Sequence, residues 1–236
     1  MTEKIIGIFG GMGTEATVDF FAKVVALTHA KKDQDHLRII IYNNPKIPDR
    51  TEAILNKDES ILPALVETSR TLERAGADFI VIPCNTVHYL HENLQKEISI
   101  PILHMIKEVF HSVRASPPGC SRVGLLATTG TVNSNLYQKE FLKAGIEVIT
   151  PTSQSQDEVM KAILKIKANQ EKEQARKDLI REGNTLIECN AEALILGCTD
   201  ISLVIKAGDF KVPVFDSTTI LAEATVKFAR SGNVTE

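Results

Sequence analysis

Two of the four thiols in this 236-residue chain, Cys84 and Cys198, stand in matching contexts 114 residues apart. Cys84 lies in D-F-I-V-I-P-C-N-T-V-H, from Asp78 to His88, and Cys198 in E-A-L-I-L-G-C-T-D, from Glu192 to Asp200. Each stretch opens on an acid, runs through four apolar residues suited to a strand buried on both faces, and breaks at Pro83 or Gly197 just before the cysteine. A thiolate and a thiol on opposite sides of a carbon can remove a proton from one face and return one to the other, which inverts a stereocentre. With an ordinary thiol pKa of about 8.5, one member of such a pair can be charged and the other neutral near pH 7. The α-proton of an amino acid is so weakly acidic that, without a cofactor, the site also needs a dense set of donors to hold the enolate. Asn85, Thr86, Thr129, Thr199 and the backbone N–H groups of Gly11 to Thr14 are candidates for that set.

Each residue also has a plainer reading. A lone cysteine at a strand end is commonly a small buried hydrophobe. The pairing argues for chemistry, and each of the two cysteines is expected to head a helix whose N-terminal dipole favours a thiolate. Cys120, in a turn, and Cys189, in a helix, have no such counterpart and read as structural. The glycine turn Gly11-Met12-Gly13-Thr14-Glu15-Ala16 matches the G-x-G-x-x-A dinucleotide pattern, but the second strand ends in Tyr42-Asn43-Asn44 without the acid that holds a ribose. A helix N-terminus binding a small carboxylate uses the same physics. Arg50, in a proline-rich loop, is either a solvated surface residue or a bidentate carboxylate clamp. His88, four residues after Cys84, is either a packing group or the base of a Cys-His hydrolase dyad; the second half has Ser202 at that position.

These residues must be positioned by alternating strands and helices. Lys4 to Phe9 reads as a strand followed by the glycine turn and a helix over Thr17 to Thr28; Leu37 to Tyr42 is a second strand entering a loop with Pro45 and Pro48. A helix from Ile61 to Ala75, the first cysteine strand, a helix from Val87 to Glu97 and a short strand from Ser99 to His104 complete the first half. After the turn Ser116-Pro117-Pro118-Gly119 the order repeats. Gly124 to Thr131 can be laid over Gly7 to Thr14, a strand over Glu147 to Thr150 ends at Pro151, a long polar helix from Gln156 to Gly183 breaks near its middle, and Lys211 to Asp216 answers Ser99 to His104. Glycine, cysteine and proline landmarks recur at offsets of 117, 114 and 112 residues. The repeat predicts an α/β protein of two pseudo-symmetric lobes, each a mainly parallel sheet flanked by helices, with Cys84 and Cys198 on opposite walls of the cleft between them. The expected boundaries are 1–104 plus 214–236 for the first lobe and 105–213 for the second.

A net charge of -3, from 27 basic and 30 acidic residues, gives no electrostatic footprint for nucleic acid or an anionic membrane and favours a small-molecule partner. No stretch approaches the roughly 20 apolar residues of a membrane span. Four cysteines without a C-x-x-C pair argue against structural zinc and fit free thiols in a cytoplasmic protein.

Five ordered motifs, G-G-M-G-x-x-A-T, N-N-P-x-I-P-D-R, P-C-N-T-x-H, L-L-A-T-T-G-T and G-C-T-D, resemble the aspartate/glutamate racemase superfamily, specifically its cofactor-independent aspartate racemases, over Ile5 to about Phe228. The resemblance implies racemisation of aspartate by Cys84 and Cys198 with no pyridoxal phosphate, metal or nucleotide, and commonly a homodimer. It implies a pocket lined by Met12, Gly13 and Thr14, with Asn85, Thr86, Thr129 and Thr199 holding the α-carboxylate and ammonium. Arg50 and a lysine of the long second-half helix would grip the side-chain carboxylate. The pattern I-Y-x-x-[IV]-K-A-G appears here as Ile163-Leu164-Lys165-Ile166-Lys167-Ala168-Asn169, one residue short, and Lys167 is taken over Lys165. Asp200 replaces the usual glutamate after G-C-T and, like His88, supports the site from behind. Three alternatives stay open: a racemase of glutamate or of broader amino-acid specificity, a two-lobed amino-acid binder without catalysis, and the Cys84–His88 hydrolase.

Overall fold

The computed structural model describes residues 3–58, 60–116 and 119–231. The Pro117-Pro118 turn expected between the halves lies outside them. In the first half, β1 (Ile6–Gly10), α1 (Thr14–Leu27), β2 (Ile39–Asn43), α2 (Arg50–Leu55), α3 (Leu62–Arg74) and β3 (Phe79–Val81) lead to a 3-10 turn, Thr86–Leu90, then to α4 (His91–Lys96) and α5 (Met105–Ala115). In the second, β4 (Arg122–Ala127), α6 (Thr129–Asn133), α7 (Leu136–Leu142), β5 (Glu147–Ile149), α8 (Ser153–Lys167), α9 (Lys172–Glu188), β6 (Ala193–Gly197), β7 (Val214–Asp216) and α10 (Ser217–Ser231) follow.

Two parallel sheets result, ordered β2-β1-β3 and β5-β4-β6-β7. The central strands β1 and β6 are fully buried, as continuous apolar runs covered on both faces must be. The sheets repeat one pattern: β1 and β4 are central, and each cysteine follows the strand beside them, β3 or β6. The expected strand over Ser99 to His104 is reduced to one bridge, Ile80 to Ile102, the counterpart of the β6–β7 pairing. Val214 to Asp216, expected with the first lobe, pairs with β6 in the second sheet, while α10 turns back to pack on α1 and α5, burying Leu221, Ala222 and Val226 against Ile6, Phe20 and Phe79.

Other differences are local. The long helix is two, α8 and α9, broken where Asn169 and Glu171 take left-handed φ values of 55° and 44°. Asp49 caps α2, its carboxylate accepting from the Thr51 and Glu52 N–H groups at 2.8 and 2.9 Å, so Arg50 opens a helix at the end of the proline loop. Gly11 has φ 103°, and a Cβ there would lie 2.4 Å from the Asn44 carbonyl carbon; only glycine lets the turn pass this loop. Gly130 does the same between lobes, since its Cβ would meet Thr51 Cα at 2.9 Å and Thr86 Cγ2 at 3.0 Å, where α6 packs on α2. Among the described residues no helix is long and apolar enough to cross a membrane.

Candidate active site

The carboxyl ends of the two sheets meet at one cleft, with about 420 Å³ of space between its walls, the open mouth included. The first lobe contributes Met12, Asp49, Arg50, Thr51, Cys84, Asn85 and Thr86; the second contributes Thr128, Met160, Leu164, Lys167, Cys198, Thr199 and Asp200. Cys84 and Cys198 are each 5% exposed and free of disulfides.

The two cysteine loops brace each other. Thr199, after Cys198, donates its hydroxyl to the carbonyl of Pro83, before Cys84, at 3.3 Å. Asn85, after Cys84, donates to Ser217 Oγ at 3.0 Å, and Ser217 donates to the Leu196 carbonyl at 2.6 Å, two residues before Cys198. The fully buried Tyr137 donates to Asn85 Oδ1 at 2.6 Å, so the amide is gripped from both ends. Behind Cys84, His88 Nδ1 lies 2.8 Å from the Cys84 carbonyl while Nε2 accepts from the Met105 N–H at 3.2 Å, which makes Nδ1 the protonated nitrogen. Burial, then the neighbouring His91, pushes the His88 pKa down to about 4. The ring therefore positions the loop as a neutral imidazole, and its nitrogens are committed to backbone groups rather than to the thiol.

Neither cysteine heads an α-helix, contrary to expectation. Cys84 precedes the 3-10 turn Thr86–Leu90 and Cys198 the short 3-10 turn Ile201–Leu203, too little aligned backbone for a helix dipole. Cys198 instead donates to Asp200 Oδ2 at 3.6 Å, and burial, followed by the Asp200 carboxylate, pushes its thiol up to about 12. Lys167 opposes this. Its Nζ lies 3.2 Å from Asp200 Oδ2, and although burial pulls the ammonium down, Asp200 and the two thiols outweigh it and the net shift is upward. Lys165 faces outward to Glu171 at 2.6 Å, so the lysine in the cleft is Lys167.

Arg50 donates through Nη1 to the Pro48 carbonyl at 3.1 Å, and its buried Nε has no partner. Thr86 Oγ1 lies 2.9 Å from both Thr128 Oγ1 and Thr131 Oγ1, a hydroxyl cluster joining the lobes. Thr128, which caps α6, lines the cleft where Thr129 was expected. Thr129 is the first helical residue, turned away so that its hydroxyl accepts from Gln156 at 3.4 Å. Thr14 is exposed and accepts from Asn43, and Gly13 meets the site only through its backbone, 3.6 Å separating Asp200 Oδ1 from the position of a Cβ; neither lines the cleft. Asp49, Thr51, Thr128, Met160 and Leu164 were not anticipated. Met160, Leu164 and Lys167 are spaced i, i+4, i+7, a helical face visible in the sequence once one member is placed.

A profile of the Asp/Glu/hydantoin racemase family matches residues 9–225. The chain belongs to this family. Among the family's members, the broad specificity amino-acid racemase RacX of Bacillus subtilis (strain 168) is 31% identical over 228 residues, covering 94% of this chain and 96% of the relative. The aspartate racemase of Picrophilus torridus superposes with a TM-score of 0.84 at 37% identity, covering 96% and 94% of the two chains. An aspartate racemase homologue from Pyrococcus horikoshii OT3 superposes at 0.77 with 28% identity, covering 96% and 99%. These structures share the two-lobe α/β fold of this chain.

Proposed function

We propose that this protein is an amino-acid racemase in which Cys84 and Cys198 exchange protons with opposite faces of Cα, and that aspartate is its substrate. The reading rests above all on two buried thiols facing one cleft from loops that brace each other. In one direction the Cys84 thiolate takes the Cα proton, leaving an enolate, and the Cys198 thiol gives its proton to the opposite face; the reverse reaction exchanges the roles. Cys198, held protonated by Asp200 and burial, is the donor in the resting cleft. No cofactor is needed as an electron sink if donors hold the enolate oxygens; we assign that task to Asn85, Thr86 and Thr128, while the Thr199 hydroxyl, committed to the Pro83 carbonyl, holds the Cys84 loop in place. Arg50, with its unpartnered Nε, grips the side-chain carboxylate, and Lys167 adds positive charge.

A second reading, broader amino-acid specificity, is favoured by one observation: Asp200 pairs with Lys167, and the same face of α8 offers Met160 and Leu164 to the cleft. Proton NMR of amino acids with the purified protein in D2O, followed by chiral chromatography, separates the readings. The expected result is loss of the L-aspartate α-proton with appearance of D-aspartate. Arg50→Ala should lower kcat/KM for aspartate about 100-fold, as the loss of a charge-assisted contact predicts, and leave alanine unaffected. Comparable turnover of several apolar or basic amino acids would establish the second reading, and no exchange with any of them would defeat both.

A further inference from the structure

We infer that Gln156, outside the cleft, is a positioning residue that fixes the Thr128 hydroxyl for the enolate; this rests on the reading that Thr128 holds an enolate oxygen. Thr128 stands at a corner of the chain, between Ala127, the last residue of β4, and Thr129, the first of α6. Its own backbone is extended, at φ -64° and ψ 153°. The direction of its side chain follows from how the strand end and the helix start are held on either side of it.

Gln156 holds both. Its amide Nε2 carries two hydrogens, and the acceptors it meets are the Ala127 carbonyl at 3.0 Å and the Thr129 hydroxyl at 3.4 Å. One side chain thus straddles the corner and grips the residues immediately before and after Thr128. Thr128 Oγ1 accepts from the Thr131 N–H at 3.2 Å, which leaves its own proton to donate. Tyr137 on Asn85 and His88 on the Cys84 carbonyl work in the same way, each a buried side chain from a neighbouring element that immobilises part of the cleft wall.

The helix α8 does not need this amide for its own stability. Val159, Ile163 and Ile166 are fully buried and seat it on the second-half core, and Thr152 caps its start by accepting from the Ser155 N–H. An apolar side chain at 156 would serve that packing as well. Gln156 is instead only 6% exposed, and its Oε1 has no hydrogen-bond partner among the described residues, a cost that an apolar residue would not incur. The Ala127 carbonyl fixes which end of the amide faces the corner, since only Nε2 can donate to it. What glutamine supplies here is the pair of donors, and the donors hold the corner. Gln156 lies one helical turn before Met160, at the end of the face that Met160, Leu164 and Lys167 turn to the cleft.

An enolate carries more charge on its oxygens than the substrate carboxylate does, so a misplaced Thr128 is felt in kcat rather than KM. With the amino acid that the parent racemises fastest, Gln156→Met, which keeps the length and loses the donors, should lower kcat about tenfold and leave KM within about twofold. Thr128→Ala should lower kcat about 100-fold, as loss of one oxyanion donor does. The double substitution should be within about twofold of Thr128→Ala alone, because Gln156 then has nothing left to position. Gln156→Met combined with Lys167→Met should instead give the product of the two single losses. Thr129→Val removes only the longer contact and leaves α8 untouched; it should cost about threefold in kcat, and again nothing in the Thr128→Ala background. Losses that multiply with Thr128→Ala, or that fall on KM alone, would overturn the assignment of Gln156. Parental kcat in Thr128→Ala, or a parent that racemises no amino acid, would overturn the reading on which it rests.

Discussion

Of the two thiols in the cleft, Cys198 is the one whose proton its neighbours tune. Its thiol is pushed up to about 12 by burial and then by Asp200, while Lys167 pulls it down. The two neighbours therefore act in opposite directions on one proton, and their removal should have opposite effects. In a background where Cys84, Cys120 and Cys189 are replaced by alanine, Asp200→Asn should speed alkylation of Cys198 by iodoacetamide at pH 9, and Lys167→Met should slow it, each by about tenfold per unit of pKa change. Intact mass against time provides the readout, and changes of the same sign in both variants would contradict the opposed-neighbour account. The sequence made much of this region readable. Motif position and chemistry pointed to both cysteines, Arg50 and Asp200, and the motif pattern pointed to Lys167 over Lys165, which the structure places in the cleft and on Glu171 respectively. Thr128 was not readable, because whether it or Thr129 faces the cleft depends on where α6 starts, and a one-residue shift in a helix rotates a side chain by about 100°.

Behind Cys84, three elements meet through histidines: His88 in the 3-10 turn, His91 opening α4 and His104 capping α5, with ring centroids 4.4 to 5.9 Å apart. Burial lowers all three pKa values, to about 4 for His88 and about 2 for His104. Three groups so close cannot all accept a proton, and His104 Nδ1 is buried without a partner. Above the ordinary value of 6.5 both folded and unfolded chains hold these rings neutral; below it only the unfolded chain takes up protons, so stability falls as pH falls. Each ring that stays neutral when folded contributes about 1.4 kcal/mol per pH unit to that loss. Urea denaturation from pH 7 to 4.5 should show this decline, and His104→Leu should flatten it by about one proton; an unchanged slope would remove His104 from the linkage. The order of elements was largely legible from apolar periodicity and turn residues. The second-half helix break was foreseen, whereas α2, α5, α6, α7 and α10 and the reduction of the Ser99 to His104 strand to a bridge were not. Asp49 starts α2 through a cap that is decided by geometry, and strand pairing over so few residues is decided by tertiary contacts rather than propensity.

At the scale of the molecule, the repeat of landmarks every 112 to 117 residues corresponds to two sheets of the same order, one with β7 and one with its remnant at Ile102. The repeat could place a cysteine at the carboxyl edge of each sheet. It could not reveal the reciprocal links from Thr199 to Pro83 and from Asn85 through Ser217 to Leu196, because they join residues 116 and 132 positions apart. Those links hold the cysteine loops against each other, and the proposed two-thiol chemistry depends on them. The most direct test follows deuterium during the first few per cent of turnover of L-aspartate in D2O. If separate thiols serve the two faces of Cα, D-aspartate should carry deuterium at Cα while recovered L-aspartate still carries protium. Deuterium in recovered L-aspartate as early as in the product would mean that one group serves both faces, and would contradict the account.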